Sequence, residues 1–282
     1  MAGTRENYFR TSDDAILYFE DRGAGKPIVL VPGFCCSTRF FEKNIDELAK
    51  TNRVITFDPR GQGSSSKGLQ GHTVSRNAQD IKELLDYLNV TDASLLGWSM
   101  AGQIVLKYHM IYNNYRIDSL GLLDCPLGAM HDEVWNAHHL KAFNTDAFNG
   151  SLVMTYNDNA GYCNYFAKMI FAGNDDSKID WCTQELLKTP AWISFAIYSD
   201  MVFQNSYEML PKVTLPILFM GADSAVTANG KALAAKYYPE NTNPAVYKES
   251  HTFEKGGHVF FYCCPEEFNA EVAAFAKKVS EL

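Results

Sequence analysis

The chain contains no C-x-x-C pair. Its seven cysteines, Cys35, Cys36, Cys125, Cys163, Cys182, Cys263 and Cys264, are odd in number and none has the spacing of a zinc or thioredoxin-type site. Free thiols in a reducing cytoplasm are the expectation. The sequence also lacks any apolar run approaching the ~18 residues needed to span a bilayer. Its first stretch, MAGTRENYFRTSDD, has no apolar h-region of the signal-peptide kind. A cytoplasmic protein without a membrane partner is therefore expected. Positive charge is short: 25 Lys and Arg stand against 33 Asp and Glu, for a net charge of −8. An acidic surface argues against nucleic acid and anionic lipid as partners. There is no internal repeat and no low-complexity tract.

Apolar residues are plentiful. They make up 46% of the 282 residues, against 21% charged, so a sizeable core is expected and a disordered chain is not. Length alone leaves one large domain or two small ones open. Short apolar runs alternate with helix-period segments. Ile28 to Val31, RVITFD, ASLLG, Ser119 to Asp124, Pro216 to Gly221 and Ala245 to Ser250 read as strands. Phe40 to Ala49, Arg76 to Leu88 and Pro265 to Val279 read as helices. In the second of these, Ile81, Leu84, Leu85 and Leu88 fall on one helical face. Strand–helix alternation predicts an α/β fold, with a mostly parallel central sheet covered by helices on both faces.

The alternation stops between Cys125 and Thr214. That stretch is rich in aromatics: Trp135, Tyr156, Tyr165, Phe166, Trp181, Trp192, Phe195, Tyr198 and Phe203. It is expected to be a mainly helical lid (125–214), inserted after the sixth strand into a core made of 1–124 and 215–282.

Ser99 sits where a strand becomes a helix, in LLGWSMAGQIVL. A nucleophile lifted clear of the backbone at the C-terminal end of a parallel strand needs a sharp, strained turn. Small residues must then stand two before and two after it. Gly97 and Ala101 meet that demand, and the helix that follows points its N-terminal amides at developing negative charge. The bland alternative is a serine capping an ordinary βα turn. Two further segments favour the catalytic reading. VPGFCCS supplies small residues whose backbone amides can line an oxyanion hole. EKGGHVFFYCCPEEF places His258 between the last strand and the last helix, in the chain order expected of such a triad.

With these residues in view, the chain resembles the α/β-hydrolase fold, in its serine esterase and cofactor-free haloperoxidase-like branch. The segments YFEDRGAGKPIVLVPGF, FDPRGQGSSSKG, LLGWSMAG and GGHVFFYCCPEEF carry the resemblance across the core, and the lid matches only loosely. The resemblance implies Ser99 as nucleophile, His258 as general base, and the amides of Phe34 and Met100 as oxyanion hole. Pro32 departs from the family's usual His before the glycine but leaves the Phe34 amide available. The triad acid commonly follows the strand before the last, and there Ser224 occupies the expected position with Asp223 one residue early. Some members take the acid from the end of the preceding core strand, which here is Asp124. Asp124 is the first choice and Asp223 the alternative.

The implied activity is hydrolysis of a small or aromatic carboxylic ester through an acyl-enzyme, with no metal and no organic cofactor. The partner is a small ester-like molecule, and the oligomeric state is open. Same-fold alternatives are carbon–carbon bond cleavage, amide or lactone opening, and perhydrolysis. A non-catalytic binding protein would be expected to have lost Ser99 or His258. Dehalogenase and epoxide hydrolase chemistry is disfavoured, because the resembling enzymes carry Asp where Ser99 stands.

His131, His138 and His139, with Asp132 and Glu133, show no standard metal-ligand spacing and read as a solvated helix face. His72, His109 and His251 are assigned ordinary core or surface roles. Cys35, Cys125, Cys263 and Cys264 lie near the proposed site residues in sequence. They are expected either to pack as small hydrophobes or to expose the site to thiol reagents.

Overall fold

The computed structural model describes residues 7–128 and 145–282. Eight strands form one sheet: β1 (Tyr8–Arg10), β2 (Ile16–Gly23), β3 (Lys26–Val31), β4 (Asn52–Phe57), β5 (Ala93–Trp98), β6 (Ile117–Leu123), β7 (Ile217–Gly221) and β8 (Lys248–Thr252). Their spatial order is β1-β2-β4-β3-β5-β6-β7-β8. β1 pairs antiparallel with β2, and β2 antiparallel with β4. Every later pairing is parallel.

All six residues of β5 are buried, as expected of a central parallel strand covered on both faces. The cover comes from α1 (Ile45–Leu48), α2 (Val74–Tyr87), α3 (Ala101–Tyr112) and α8 (Pro265–Val279). α2 packs against α3, while α8 packs against α1 and β3. Between β6 and β7 the described residues are helical: α4 (Thr145–Asn157), α5 (Asn159–Phe171), α6 (Ile179–Leu186) and α7 (Ala191–Val202). The histidines 131, 138 and 139, with Asp132, Glu133 and Trp135, lie outside the described residues. No helix among the described residues is long and apolar enough to cross a membrane.

Three segments differ from the sequence reading. Phe40 to Ala49 is not one helix. A 3-10 turn, Thr38–Phe41, is followed by the short α1. The break falls at Asn44, a fully buried residue whose Nδ2 donates to the Phe261 carbonyl at 2.8 Å and to Asn269 Oδ1 at 3.1 Å. β8 begins three residues later than expected, because Asn243 holds Ala245 and Val246 in a turn through its side chain and carbonyl. β1, which the apolar pattern does not announce, pairs its three residues with Ile16, Leu17 and Tyr18.

The helices between β6 and β7 are tied to the rest of the chain by polar links. Ser37 Oγ donates to Glu185 Oε2 at 2.9 Å. The Asp200 carboxylate accepts the Val74 amide at 2.8 Å, at the first turn of α2, where a negative charge is favoured. Beneath these links the Asp58 carboxylate accepts the amides of Thr38 at 2.7 Å and Ser64 at 2.6 Å. It thereby joins the loop after β4 to the loop after β3.

Candidate active site

The parallel register brings the C-terminal ends of β3, β5, β6 and β7 to one edge of the sheet. Val31 lies beside Gly97, Trp98 beside Leu123, and Leu123 beside Met220. The residues that follow these strands therefore share a crevice, the usual ligand position in open α/β sheets.

Ser99 follows β5 directly. Its φ is +57°, in the left-handed region that costs a non-glycine residue free energy. The turn is pinned on both sides: the Ser99 amide donates to the Leu123 carbonyl at 2.9 Å, and the Ser99 carbonyl accepts from Gly102 at 3.0 Å. So sharp a turn folds the start of α3 back onto the strand. A Cβ on Gly97 would lie 2.5 Å from the Ala101 carbonyl carbon, which is why the residue two before the serine must be glycine. The loop after β3 presses on the serine from the other side. A Cβ on Gly33 would stand 2.9 Å from Ser99 Cβ and 3.5 Å from its Oγ.

Phe34 follows Gly33, and Met100 follows Ser99 at the N-terminus of α3. Neither backbone amide is engaged in a hydrogen bond among the described residues. Two unspent N–H groups next to a serine, one of them at a helix N-terminus, can stabilise an oxyanion.

His258 lies in a 3-10 turn, Gly257–Val259, between β8 and α8. It is 1% exposed. Its Nδ1 is 2.6 Å from Asp124 Oδ2, and its Nε2 is buried without a partner. The Trp98 indole N–H donates to the His258 backbone carbonyl at 2.8 Å, and the two rings lie 5.2 Å apart. The residue just before the serine thus anchors the histidine, a link that the sequence pattern did not suggest.

Asp124 follows β6, with φ +48° and its amide donating to Met220 at 2.8 Å. Its side chain is fully buried. Burial pushes its carboxyl up, opposed first by His258 and then by the Thr227 hydroxyl and Ala222 amide facing it. Asp223 is elsewhere: exposed, with its carboxylate accepting the Lys231 amide at 3.1 Å. Ser224 caps a turn, accepting the Thr227 amide on its Oγ at 2.8 Å.

The helices between β6 and β7 meet the loop after β3 through aromatic rings. Phe34 contacts Phe166 of α5 and Tyr198 of α7, with centroids 5.8 and 5.7 Å apart. Phe148 of α4 stacks on Tyr198 at 5.6 Å. Trp181 instead packs on Phe40 and Tyr262. Tyr156, Tyr165, Trp192, Phe195 and Phe203 are exposed, so only part of the aromatic set faces inward.

Of the cysteines near the site residues in sequence, Cys35, Cys36 and Cys125 are buried, and Cys263 and Cys264 only partly so. Burial pushes the Cys35 thiol up to about 12. Cys35 Sγ lies 3.2 Å from Ser194 Oγ of α7. Cys125 is directed at the Gly97 carbonyl, 3.2 Å away, behind the serine turn. The packing reading therefore fits these three thiols better than the reactive one. Among the described residues no group of three or more His, Cys, Asp or Glu side chains could hold a metal ion.

Residues 26–150 match the family model described as alpha/beta hydrolase fold. The chain is 33% identical over 118 residues to the AB hydrolase superfamily protein YisY of Bacillus subtilis, covering 42% of this chain and 44% of that protein. It is 27% identical over 114 residues to the non-heme chloroperoxidase CPO-A1 of Kitasatospora aureofaciens, covering 40% and 42%. The chain thus spans less than half the length of these curated relatives. Solved structures align over nearly the whole chain. An esterase from Exiguobacterium antarcticum superposes with a TM-score of 0.86 at 23% identity, covering 97% of this chain and 100% of that one. A bromoperoxidase from Bacillus anthracis gives 0.83 at 24%, covering 94% and 96%. Strand order, the turn after β5, the family model and the solved neighbours agree: the chain is an α/β-hydrolase-fold protein.

Proposed function

We propose that the chain is a serine hydrolase acting on a small or aromatic carboxylic ester, with Ser99, His258 and Asp124 as its triad. The observation that carries the reading is the convergence at one sheet edge. A serine in a strained turn between two unspent amides shares that edge with a buried histidine–aspartate pair 2.6 Å apart.

With Nδ1–H donating to Asp124, Nε2 is left as the base. It takes the Ser99 proton as Oγ attacks the ester carbonyl, and the amides of Phe34 and Met100 hold the oxyanion. His258 returns the proton to the leaving alcohol, and water repeats the sequence on the acyl-enzyme. Ser99 Oγ and His258 Nε2 are not hydrogen-bonded to one another in the structure. Such bonds commonly tighten only when substrate is bound. The rings of Phe34, Phe166, Tyr198 and Phe148 support a compact apolar or aromatic acyl group, because pockets of this kind are mostly hydrophobic with few polar anchors. The acidic net charge supports a small-molecule partner over nucleic acid.

Perhydrolysis is the second reading, favoured by similarity to the chloroperoxidase and the bromoperoxidase. It would use the same acyl-enzyme, intercepted by hydrogen peroxide in place of water. The test is a p-nitrophenyl ester chain-length series, with labelling by a fluorophosphonate probe. Labelling should map to Ser99, acetate and butyrate esters should turn over faster than long-chain ones, and Ser99→Ala should lose on the order of 10⁴ or more in rate. Unchanged turnover by folded Ser99→Ala protein would sink the mechanism.

A further inference from the structure

The acid proposed above leaves one oxygen unexplained. Asp124 Oδ2 binds His258, but Oδ1 is buried and makes no well-formed hydrogen bond. A second buried orphan lies in the loop after β7: the hydroxyl of Thr227, a residue 1% exposed. This is the loop from which the fold commonly supplies its acid. Here it has been rebuilt as a tight double turn. The Ser224 amide donates to the Thr227 carbonyl at 3.1 Å, Ser224 Oγ accepts the Thr227 amide at 2.8 Å, and the Gly230 amide donates to the same Thr227 carbonyl at 3.1 Å. The loop also closes on the carboxylate itself, since a Cβ on Gly230 would stand 2.5 Å from Asp124 Oδ1.

From this geometry we infer that Thr227 is a positioning residue for the Asp124–His258 pair. Its hydroxyl donates to Asp124 Oδ1 and fixes the carboxylate with Oδ2 on the histidine. The inference rests on the reading of Asp124 as the triad acid. Two buried polar atoms without partners each cost free energy, and a hydroxyl rotor facing a carboxylate oxygen removes both costs with one hydrogen bond. Ser224, at the position where an acid was expected, holds the turn that presents this hydroxyl. The loop has exchanged delivery of a charge for support of a charge carried on β6.

The remaining titratable groups around Asp124 are few. The Cys125 thiol, directed at the Gly97 carbonyl, and the Tyr238 phenol, donating to the Cys125 carbonyl at 2.6 Å, lie nearby, and burial pushes both well up, so they stay neutral. On the same loop Asp223 is exposed, and Lys231 pairs with Glu254 at 2.6 Å. A hydrogen bond to the carboxylate favours its charged form and partly spends its attraction for a protonated imidazole. Losing it makes the pair easier to protonate as a unit, so the acid limb of activity should move to higher pH.

The experiment is the pH profile of kcat/KM on p-nitrophenyl butyrate for Thr227→Val, Thr227→Ala and Thr227→Ser. Each is made in the wild type and in Asp124→Asn, with melting temperatures recorded. Thr227→Val is expected to lose about tenfold to a hundredfold, the range of a hydrogen bond to a charged group, and to raise the acid limb. Thr227→Ala, which cannot overfill the site, should do the same, and Thr227→Ser should restore both rate and limb. In the Asp124→Asn background Thr227→Val should cost less than about threefold more, because the charge it serves is gone. The role is overturned if Asp124→Asn is inactive while Thr227→Val keeps its rate and limb. It is equally overturned if Thr227→Ser fails to restore, or if the loss is the same in both backgrounds. Full activity in Asp124→Asn alone would overturn the acid assignment, and the role of Thr227 with it.

Discussion

Replacing Asp124 by Asn tests the site at the point where the sequence left two choices. The substitution keeps shape and removes charge. Because burial pushes the Asp124 carboxyl up, a neutral isostere relieves desolvation, and the variant should fold. Its chemistry should fail for a geometric reason. The Asn amide must place its oxygen on one side and its NH₂ on the other. Besides His258, two donor groups influence the carboxyl, the Ala222 amide and the Thr227 hydroxyl, and both favour the Asn oxygen on the side away from the histidine. The NH₂ is then directed at His258 Nδ1, across the position of the present 2.6 Å bond. Nδ1 must accept, the ring proton moves to Nε2, and the base that should take the Ser99 proton is already protonated. Loss of tautomer control and of the partner charge together is worth about 10³–10⁴ in kcat, or about 4–5.5 kcal/mol at ~1.36 kcal/mol per tenfold. Asp223→Asn keeps a carbonyl oxygen for the Lys231 amide and should cost less than about tenfold. The assay is kcat and KM on p-nitrophenyl butyrate, with near-UV circular dichroism to establish folding. If the Asp223 variant collapses while folded Asp124→Asn protein works normally, the acid is Asp223 and the argument above is wrong.

Thiol reagents offer a second test. In the native protein, modification by iodoacetamide at neutral pH should be confined to Cys263 and Cys264, the two thiols not fully buried, and peptide mapping that finds rapid modification at Cys35, Cys36 or Cys125 would refute the packing described. A third concerns acid stability: Asp13 lies beside Arg60 and Arg76, which hold its carboxyl far below the usual carboxylate range. An acid with a depressed folded-state pKa adds stability above its unfolded pKa, near ~4, and loses it as pH falls through the folded value. Asp13→Asn should therefore lower the melting temperature at pH 7 and lower it less near pH 2, where part of that stabilisation is already lost, whereas an equal drop at both would show that the Arg60 pairing is not the cause.

The core was legible because buried parallel strands read as apolar runs with clear ends. β5 and β7 fall within a residue of where their runs place them, and α8 spans the same residues, Pro265–Val279, that its Pro start and amphipathic period indicate. The turn at Ser99 was legible because close backbone approach demands small residues at fixed offsets, and that demand is written locally. What was not legible depends on partners far away in sequence. Asn44 breaks the expected helix to reach Phe261 and Asn269, more than 200 residues on. Trp98 looks like one more strand residue until its indole N–H is seen on the His258 carbonyl. The cysteines were open to two readings for a related reason. Nearness in sequence to Phe34 and Asp124 says nothing about side, and Cys125 turns behind the serine while Asp124 turns toward the histidine.

That last contrast bears on why an acid can sit at Asp124 at all. A carboxylate at the end of β6 is deeper than one on the exposed loop after β7, and the 2.6 Å bond to His258 offsets only part of the cost of burying it. The chain must also hold Asp124 at φ +48°, a conformation that Asp tolerates better than most residues. Two features offset these costs. The Asp124 amide is tied to Met220, which fixes the residue to its neighbouring strand, and the loop after β7 closes over the second oxygen with a glycine and a hydroxyl. A carboxylate moved into the core without such a loop would be pushed further up and would hold a histidine less well. In the proposed triad the acid follows β6, and Ser224, Thr227 and Gly230 of the opposite loop are its partners.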